Sequence, residues 1–184
     1  MNRTYLFVSP EERSEVEALG ALWDSDKKCW YVDGEPSTHL APWTSPSEDE
    51  EFSIISNCAV IASATIPCPR CRRATEVVCI HCLSGTASGQ SLERFTVFNI
   101  SEVGESLRQA LERWPSYRRA AEGDGAGDFA NHCMSCGGVI FDIDLHAEPD
   151  QAFFDITHAP DGVITLIPLL KTIQLNGSEH FVVE

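Results

Sequence analysis

Basic residues are scarce in this sequence. Its 184 residues include 13 lysines and arginines against 28 aspartates and glutamates, which gives a formal net charge of −15. A general nucleic-acid binder needs a basic surface to meet the phosphates, so this balance disfavours that class. The charge is also uneven, because residues 67–120 carry eight arginines against five glutamates, whereas residues 121–184 carry eleven acids against Lys171 alone. An acidic surface beside a modest arginine-rich one indicates protein recognition steered by electrostatics.

A long apolar run is also lacking. The best stretch, GVITLIPLL at residues 162–170, is short and interrupted by Pro168, so no membrane-spanning helix is expected. The first twenty residues have no apolar core of the kind that a secretory leader needs. We therefore expect a cytoplasmic protein that makes no membrane contact. In that compartment the eight cysteines should be metal ligands and free thiols rather than disulfides.

Catalytic motifs are missing as well. The sequence has no phosphate-binding glycine loop, no nucleophile elbow and no recognisable Cys–His frame. Asp142, Asp144 and His146 fall on one face of a predicted strand, and such a set could bind a catalytic metal as hydrolases require. The solvent-facing side of any amphipathic strand gives the same spacing, and no second carboxylate–histidine pair accompanies it. We therefore predict that the protein is not an enzyme.

Three Cys-x-x-Cys pairs are present, and one tetrahedral zinc needs two of them. The first pair lies in IPCPRCRR, with one proline before its first cysteine and one directly after it, and the third lies in NHCMSCGG before two glycines, so both sequences break strand geometry. The second pair lies in EVVCIHCLSG, a predicted strand in which an offset of three sends the two sulfurs to opposite faces. We therefore predict a zinc-ribbon site made of the first and third pairs: Cys68, Cys71, Cys133 and Cys136.

An alternative pairing stays open. Cys68 and Cys71 could instead join Cys79 and Cys82 in a compact site with seven residues between the pairs. In either arrangement four thiolates leave no open coordination position, which predicts a structural Zn²⁺ rather than a catalytic one. The neighbouring arginines, at positions 70, 72 and 73, would offset the negative charge of the thiolates.

Two stretches carry a resemblance. RTYLFVSPEERSEVEALGALWDSDKKCWYV resembles a small bacterial domain of unknown function found attached to conjugative-plasmid (TraC-type) DNA primases and in short standalone proteins. The matching positions are Tyr5, Leu6, Val8, Ala18, Leu19, Gly20, Ala21, Trp23, Asp24, Lys28, Trp30, Tyr31 and Val32. NHCMSCGGVIFDIDLHAEPDQAFF is similar to the C-terminal part of such standalone proteins. The resemblance implies an accessory protein built from this domain and a zinc ribbon, and it implies no reaction.

The predicted fold class is α+β. Residues 1–45 should form a small βαβ-like module, residues 46–53 an acidic linker, and residues 54–184 a zinc-ribbon-containing α+β domain. That domain should contain an inserted amphipathic helix that begins at Ser101. Its apolar face would consist of Val103, Leu107, Ala110, Leu111 and Trp114.

These features favour a non-enzymatic, zinc-stabilised acidic binding protein. Its concrete form would be an inhibitor or immunity protein that neutralises a basic partner such as a nuclease toxin. The predicted partner-binding residues are Asp142, Asp144, Glu148, Asp150 and Asp155. The alternative is a nucleic-acid-binding accessory module that uses an arginine patch. That patch would consist of Arg70, Arg72, Arg73, Arg118 and Arg119.

Overall fold

Strands dominate the computed structural model of the chain, which describes residues 3–8, 12–25, 27, 29–44, 52–121 and 128–180. Within these residues the strands form three sheets, and the three α-helices have only six, seven and four residues. The predicted α+β class with an inserted amphipathic helix is therefore wrong, since the protein is mostly β. None of the helices in the described part is long and apolar enough to cross a membrane.

The N-terminal module is a three-stranded antiparallel sheet with one short helix. Its elements are β1 (Arg3–Leu6), α1 (Arg13–Ala18), β2 (Leu22–Asp24) and β3 (Cys29–Asp33), followed by a 3-10 turn (Ala41–Trp43). The strand β3 lies in the centre and pairs with both others. The strand–helix–strand order of the predicted βαβ-like module is present, but every strand pairing is antiparallel, because β3 lies between β1 and β2. Leu6, Val16, Leu40 and Trp43 form its small core. The predicted linker falls at residues 46–53, of which 46–51 lie outside the described residues.

Long strands build the main body of the protein. They are β4 (Ile54–Pro67), β5 (Ala74–Ala87), β6 (Gln90–Val103), β10 (Ile164–Leu169) and β11 (Ile173–His180). Four of these strands form a closed ring of antiparallel pairings: β4 pairs with β5, β5 with β6, β6 with β11, and β11 with β4. The strand β10 pairs with the part of β4 that β11 leaves free.

Both faces of this sheet are apolar, so β5 separates two cores. Val78, Ile80 and Cys82 face the interior of the ring, whereas Val77 and Cys79 face outward, as the two-residue period of a strand requires. We call the first set of packed residues the inner core and the second the outer core.

The helix α2 (Glu105–Leu111) covers the inner core with Leu107 and Leu111. It is shorter than the helix that we predicted from Ser101. Residues 101–103 are the end of β6, and Val103 pairs with Leu175 of β11. The apolar spacing of this segment fits a helix, but the main-chain hydrogen bonds offered by β11 decide its conformation.

A third sheet packs against β5 and β6 and contributes residues to both cores. It contains β7 (Tyr117–Arg119), β8 (Phe129–His132) and β9 (Val139–Ile140), and α3 (Ile143–His146) follows it. We predicted a strand through Asp142, Asp144 and His146, and this is wrong because the chain turns into α3 after Ile140. The alternation of apolar residues there is compatible with a helix that buries Leu145 and His146.

One buried amide joins the third sheet to β5. The Oδ1 atom of Asn131 accepts a hydrogen bond from Val78 N at 2.8 Å, and its Nδ2 donates to Val78 O at 2.9 Å. The Asn131 side chain is fully buried. It pairs with both the N–H and the C=O of Val78, a β5 residue that lies outside the stretch paired with β6. Asn131 therefore acts as a one-residue strand partner that positions β8.

A disulfide joins the N-terminal module to the main body. It links Cys29 of β3 to Cys58 of β4, with the two Cα atoms 5.6 Å apart, and the side-chain amide of Asn57 donates nearby to the Leu6 carbonyl. The expectation that the cysteines form no disulfide is therefore wrong for this pair. Its half-cystines lie 29 positions apart and share no sequence motif.

Replacing Asn131 with Ala should destabilise the fold by about 3 kcal/mol, because both Val78 polar groups would stay buried without partners. Urea denaturation followed by tryptophan fluorescence measures this loss. Gln109→Ala is the control, since that side chain is exposed on α2 and should change stability by less than about 0.5 kcal/mol. Equal stability of the two variants would refute the role given to Asn131.

The disulfide predicts a thiol count. Chain unfolded in chelator without reductant should expose the six free cysteines, and reduction should raise the count to the eight of the sequence. Reaction with a thiol-specific chromophore measures both values. A Cys58→Ser variant should show seven, one fewer than eight, before and after reduction. Eight thiols in the unreduced wild type would show that Cys29 and Cys58 are not joined.

Candidate metal centre

The first cysteine turn connects β4 to β5. Cys68 N donates to Arg73 O at 2.8 Å, and Arg72 N donates to Cys68 O at 2.9 Å, so the backbone folds back over the sulfur atoms. Arg72 adopts a left-handed conformation with φ of 63°. A non-glycine residue pays a steric cost for that conformation, which indicates that the hydrogen bonds of the turn hold it there.

The second cysteine turn, between β8 and β9, repeats this geometry. Cys133 N donates to Gly138 O at 2.9 Å, and Gly137 N donates to Cys133 O at 2.8 Å. Gly137 has φ of 69° and stands one residue after the second cysteine, as Arg72 does in the first turn. The glycine was visible in the sequence as a turn signal, whereas the arginine gave none.

The two turns bring their four sulfur atoms together. All four lie within 4.8 Å of one another, with Cys68 Sγ 3.9 Å from Cys136 Sγ and Cys71 Sγ 3.7 Å from Cys133 Sγ. Four sulfurs at about 2.3 Å from a tetrahedral ion would be about 3.8 Å apart. The predicted ligand set therefore has the spacing that a metal ion requires.

The local backbone favours thiolate at Cys133. Its pKa is lowered to about 6, first by hydrogen bonding from the backbone of Cys136 and also from Ser135, whose N–H lies 3.4 Å from the sulfur. A thiolate is the form that binds metals. Thr75 supports the same turn from β5, because its buried Oγ1 accepts a hydrogen bond from Met134 N at 3.2 Å.

The middle cysteine pair lies apart from this centre. Cys79 and Cys82 stand within β5, one in the outer core and the other in the inner core. Burial raises the pKa of Cys82 to about 12 and that of Cys79 well above its usual value, so both are thiols held in apolar surroundings. The alternative compact site is therefore not formed. Among the described residues, the set of side chains that could hold a metal ion with Cys68 and Cys71 includes Cys133 and Cys136 instead.

The arginines named from the sequence lie at two places. Arg70, Arg72 and Arg73 are exposed on the first cysteine turn, and the side chain of Arg70 runs over Gly138 of the second turn. Arg118 and Arg119 are exposed on β7. The guanidinium of Arg119 lies 5.1 Å from the centre of the Phe129 ring.

The acidic residues named from the sequence surround α3. Asp144, Glu148 and Asp150 are exposed, whereas Asp142 is partly buried and accepts a hydrogen bond from Asn99 N at 2.9 Å. Asp155 Oδ2 lies 2.9 Å from His158 Nδ1. Burial opposes the ionised form of Asp155, but hydrogen bonds from Thr157 and His158 outweigh it and lower its pKa.

The histidines take structural positions. His146 is buried between aromatic rings, 4.1 Å from the Phe98 centroid and 5.5 Å from that of Phe153. No metal-binding group in the described part of the chain contains His146 with Asp142 or Asp144. His132 is buried beside Cys133, and its Nδ1 lies 2.9 Å from Ala130 O.

The metal centre predicts opposite results for two cysteine substitutions. Purified wild type should contain about one metal equivalent per chain, and Cys133→Ser should lose it together with thermal stability, because one of the four thiolates is gone. Cys79→Ser should keep the metal, since that sulfur lies in the middle of β5. Elemental analysis by mass spectrometry measures the content. Metal kept in Cys133→Ser and lost in Cys79→Ser would instead support the compact pairing.

Comparisons with known proteins gave a match for the N-terminal module only. No curated protein and no solved structure matches the chain. Residues 3–44 match the family described as a domain of unknown function (DUF5710), which covers the antiparallel module and leaves the metal centre outside it.

Proposed function

We propose that this chain is a non-enzymatic binding protein of the bacterial cytoplasm, in which a structural Zn²⁺ holds an acidic surface against a basic protein partner. The concrete form is an inhibitor or immunity protein that neutralises a basic toxin such as a nuclease. The N-terminal resemblance to a domain attached to plasmid primases adds a bacterial setting. Burial of both half-cystines of the Cys29–Cys58 disulfide would slow its reduction in such a compartment.

Zinc is the ion that the ligand set suits best. Four cysteines in two tight turns are typical of structural zinc sites, and thiolates select zinc over magnesium or calcium. Four protein ligands also leave no position for a catalytic water. The ion would therefore hold the two cysteine turns together and carry out no reaction.

The observation that carries the proposal is the shared core of the metal centre and the acidic segment. Leu145 and Phe153 are buried in the outer core with Cys68 and Cys133. Phe153 N also donates to Leu145 O at 2.8 Å, which closes the segment between them. The exposed acids of this segment are thus presented by the part of the fold that the metal would fix.

A specific observation supports the alternative function. Arg70, Arg72 and Arg73 are exposed on the first cysteine turn, where they could contact phosphates. A nucleic acid would then have to approach from a side that the acids around α3 do not face. The net charge of −15 opposes such an approach at long range, so we place this function second.

Two binding measurements separate these functions. The chain is titrated with the basic protein encoded by a neighbouring gene, and separately with single-stranded and duplex DNA, at about 50 and about 200 mM salt. We expect it to bind and inhibit the protein and to leave DNA unbound. Tight DNA binding that weakens steeply with salt would overturn the proposal in favour of the accessory function.

A matched pair of variants tests the acidic surface itself. Asp144→Asn, Glu148→Gln and Asp150→Asn together should weaken binding of the basic protein at least tenfold and lower its association rate. The control neutralises three exposed acids elsewhere, Glu15, Glu17 and Glu112, and changes the net charge equally. Equal weakening in both would show that total charge, rather than the surface around α3, drives the binding.

A further inference from the structure

A cavity of about 310 Å³ lies beside the acidic surface. Its walls come from β8 and from the start of α3, and they are mainly apolar. Phe129 and Ala130 form one side, and Phe141 and Ile143 form the other. Phe141 and Ile143 are exposed at 43% and 70%, which is high for large apolar side chains. An apolar rim of this kind is typical of a contact surface.

The carboxylate of Asp142 lies in this apolar cavity. Its Oδ2 accepts the hydrogen bond from Asn99 N, and Asp128 supplies a second carboxylate to the cavity lining. No lysine or arginine is found among the described residues that line it, although the guanidinium of Arg119 lies 5.1 Å from the centre of the Phe129 ring. The cavity therefore combines apolar walls with two negative charges.

The backbone of Asn99 in β6 positions Asp142. Asn99 has φ of 48°, a left-handed conformation that asparagine adopts more readily than most residues other than glycine. The hydrogen bond fixes one oxygen of the carboxylate in the cavity.

Burial also makes the charge of Asp142 unfavourable. Loss of solvent raises its pKa, the negative charge of Asp128 adds to that rise, and the hydrogen bond from Asn99 opposes it. A carboxyl whose pKa is higher in the folded chain than in the unfolded chain stabilises the fold at low pH. That stabilisation is lost as pH rises through the folded value. A cation placed beside the ionised group would offset this loss.

We propose that this cavity receives an arginine side chain of the basic partner. The guanidinium would lie against the exposed Phe141 ring and bind the carboxylate of Asp142, while the methylene stem contacts Ile143. An aromatic wall favours arginine over lysine, because the planar guanidinium stacks on rings. The inference rests on the proposed function and names the anchor point within it.

The test uses three short probes and the full-length chain. The tripeptide N-acetyl-Gly-Arg-Gly-amide is titrated into isotope-labelled protein and followed by NMR, with the lysine tripeptide and the neutral citrulline tripeptide as comparisons. We expect saturable shifts at Asn99, Ala130 and Ile143 with arginine, weaker ones with lysine and none with citrulline. Equal binding of citrulline, or shifts confined to Glu148 and Asp150, would overturn the proposal.

The Asp142→Asn variant is tested for binding of the arginine tripeptide and for stability, because a purely structural residue would not weaken binding and raise stability together. The variant should bind the arginine tripeptide at least tenfold more weakly, yet its urea midpoint at pH 7 should rise, because the buried charge is removed. The amide oxygen of the new residue can still accept from Asn99 N. Unchanged binding, or a fall in stability together with weaker binding, would refute the assignment.

The basic partner distinguishes failure of the cavity from failure of the proposed function. Partner binding that is equal in wild type and Asp142→Asn, but weakened by the triple substitution around α3, would reject the cavity and keep the function. Binding of the arginine tripeptide in the cavity without any binding of the basic protein would keep the cavity and reject the function.

Discussion

The convergence of four cysteine sulfurs is the constraint on which the rest of the outer face depends. The two turns stand more than sixty positions apart in sequence, yet their sulfurs lie within 4.8 Å of one another. Four thiolates at that spacing repel one another unless a cation lies between them. Asn131 fixes β8 on β5, and the sulfurs then fix the turn that follows β8 against the end of β4. The outer core is therefore held at two points, by Asn131 on β5 and by the four sulfur atoms at the end of β4.

The two cores differ in what closes them. The inner core lies within a ring of strand pairings and under α2, so main-chain hydrogen bonds and apolar burial suffice for it. The outer core includes Leu145 and Phe153 from a segment with one four-residue helix. So short a helix has little stability of its own, and the segment depends on its packing against the cysteine turns. The exposed acids around α3 thus belong to the part of the fold that a metal ion at the four cysteines would control.

The sequence allowed the cysteine pairing to be predicted because proline and glycine mark turns, and because Cys79 and Cys82 lie in a β-branched context. The sequence led to a wrong prediction where one apolar pattern fits both a strand and a helix. The alternation from Val139 to Leu145 suits a strand, but hydrogen bonds end the strand at Ile140. Asn131 could not be identified, since its role depends on a stretch of β5 that pairs with β4 but not with β6, which only the fold reveals. The same holds for Cys58, whose partner comes from another sheet.

Because α3 lies where a strand was predicted, the surroundings of Asp142 differ from those that the sequence suggested. On a strand it would share one solvated face with Asp144 and His146, and all three would be equivalent. In the fold the turn into α3 separates them, so that Asp144 is exposed, His146 is buried among aromatic rings and Asp142 lines an apolar cavity. A solvated carboxylate contributes to long-range steering at little energetic cost, whereas a desolvated one is unfavourable until a cation pairs with it. In the binding that we propose, the surface acids would therefore act during the approach of a basic partner, and Asp142 would act afterwards in fixing it.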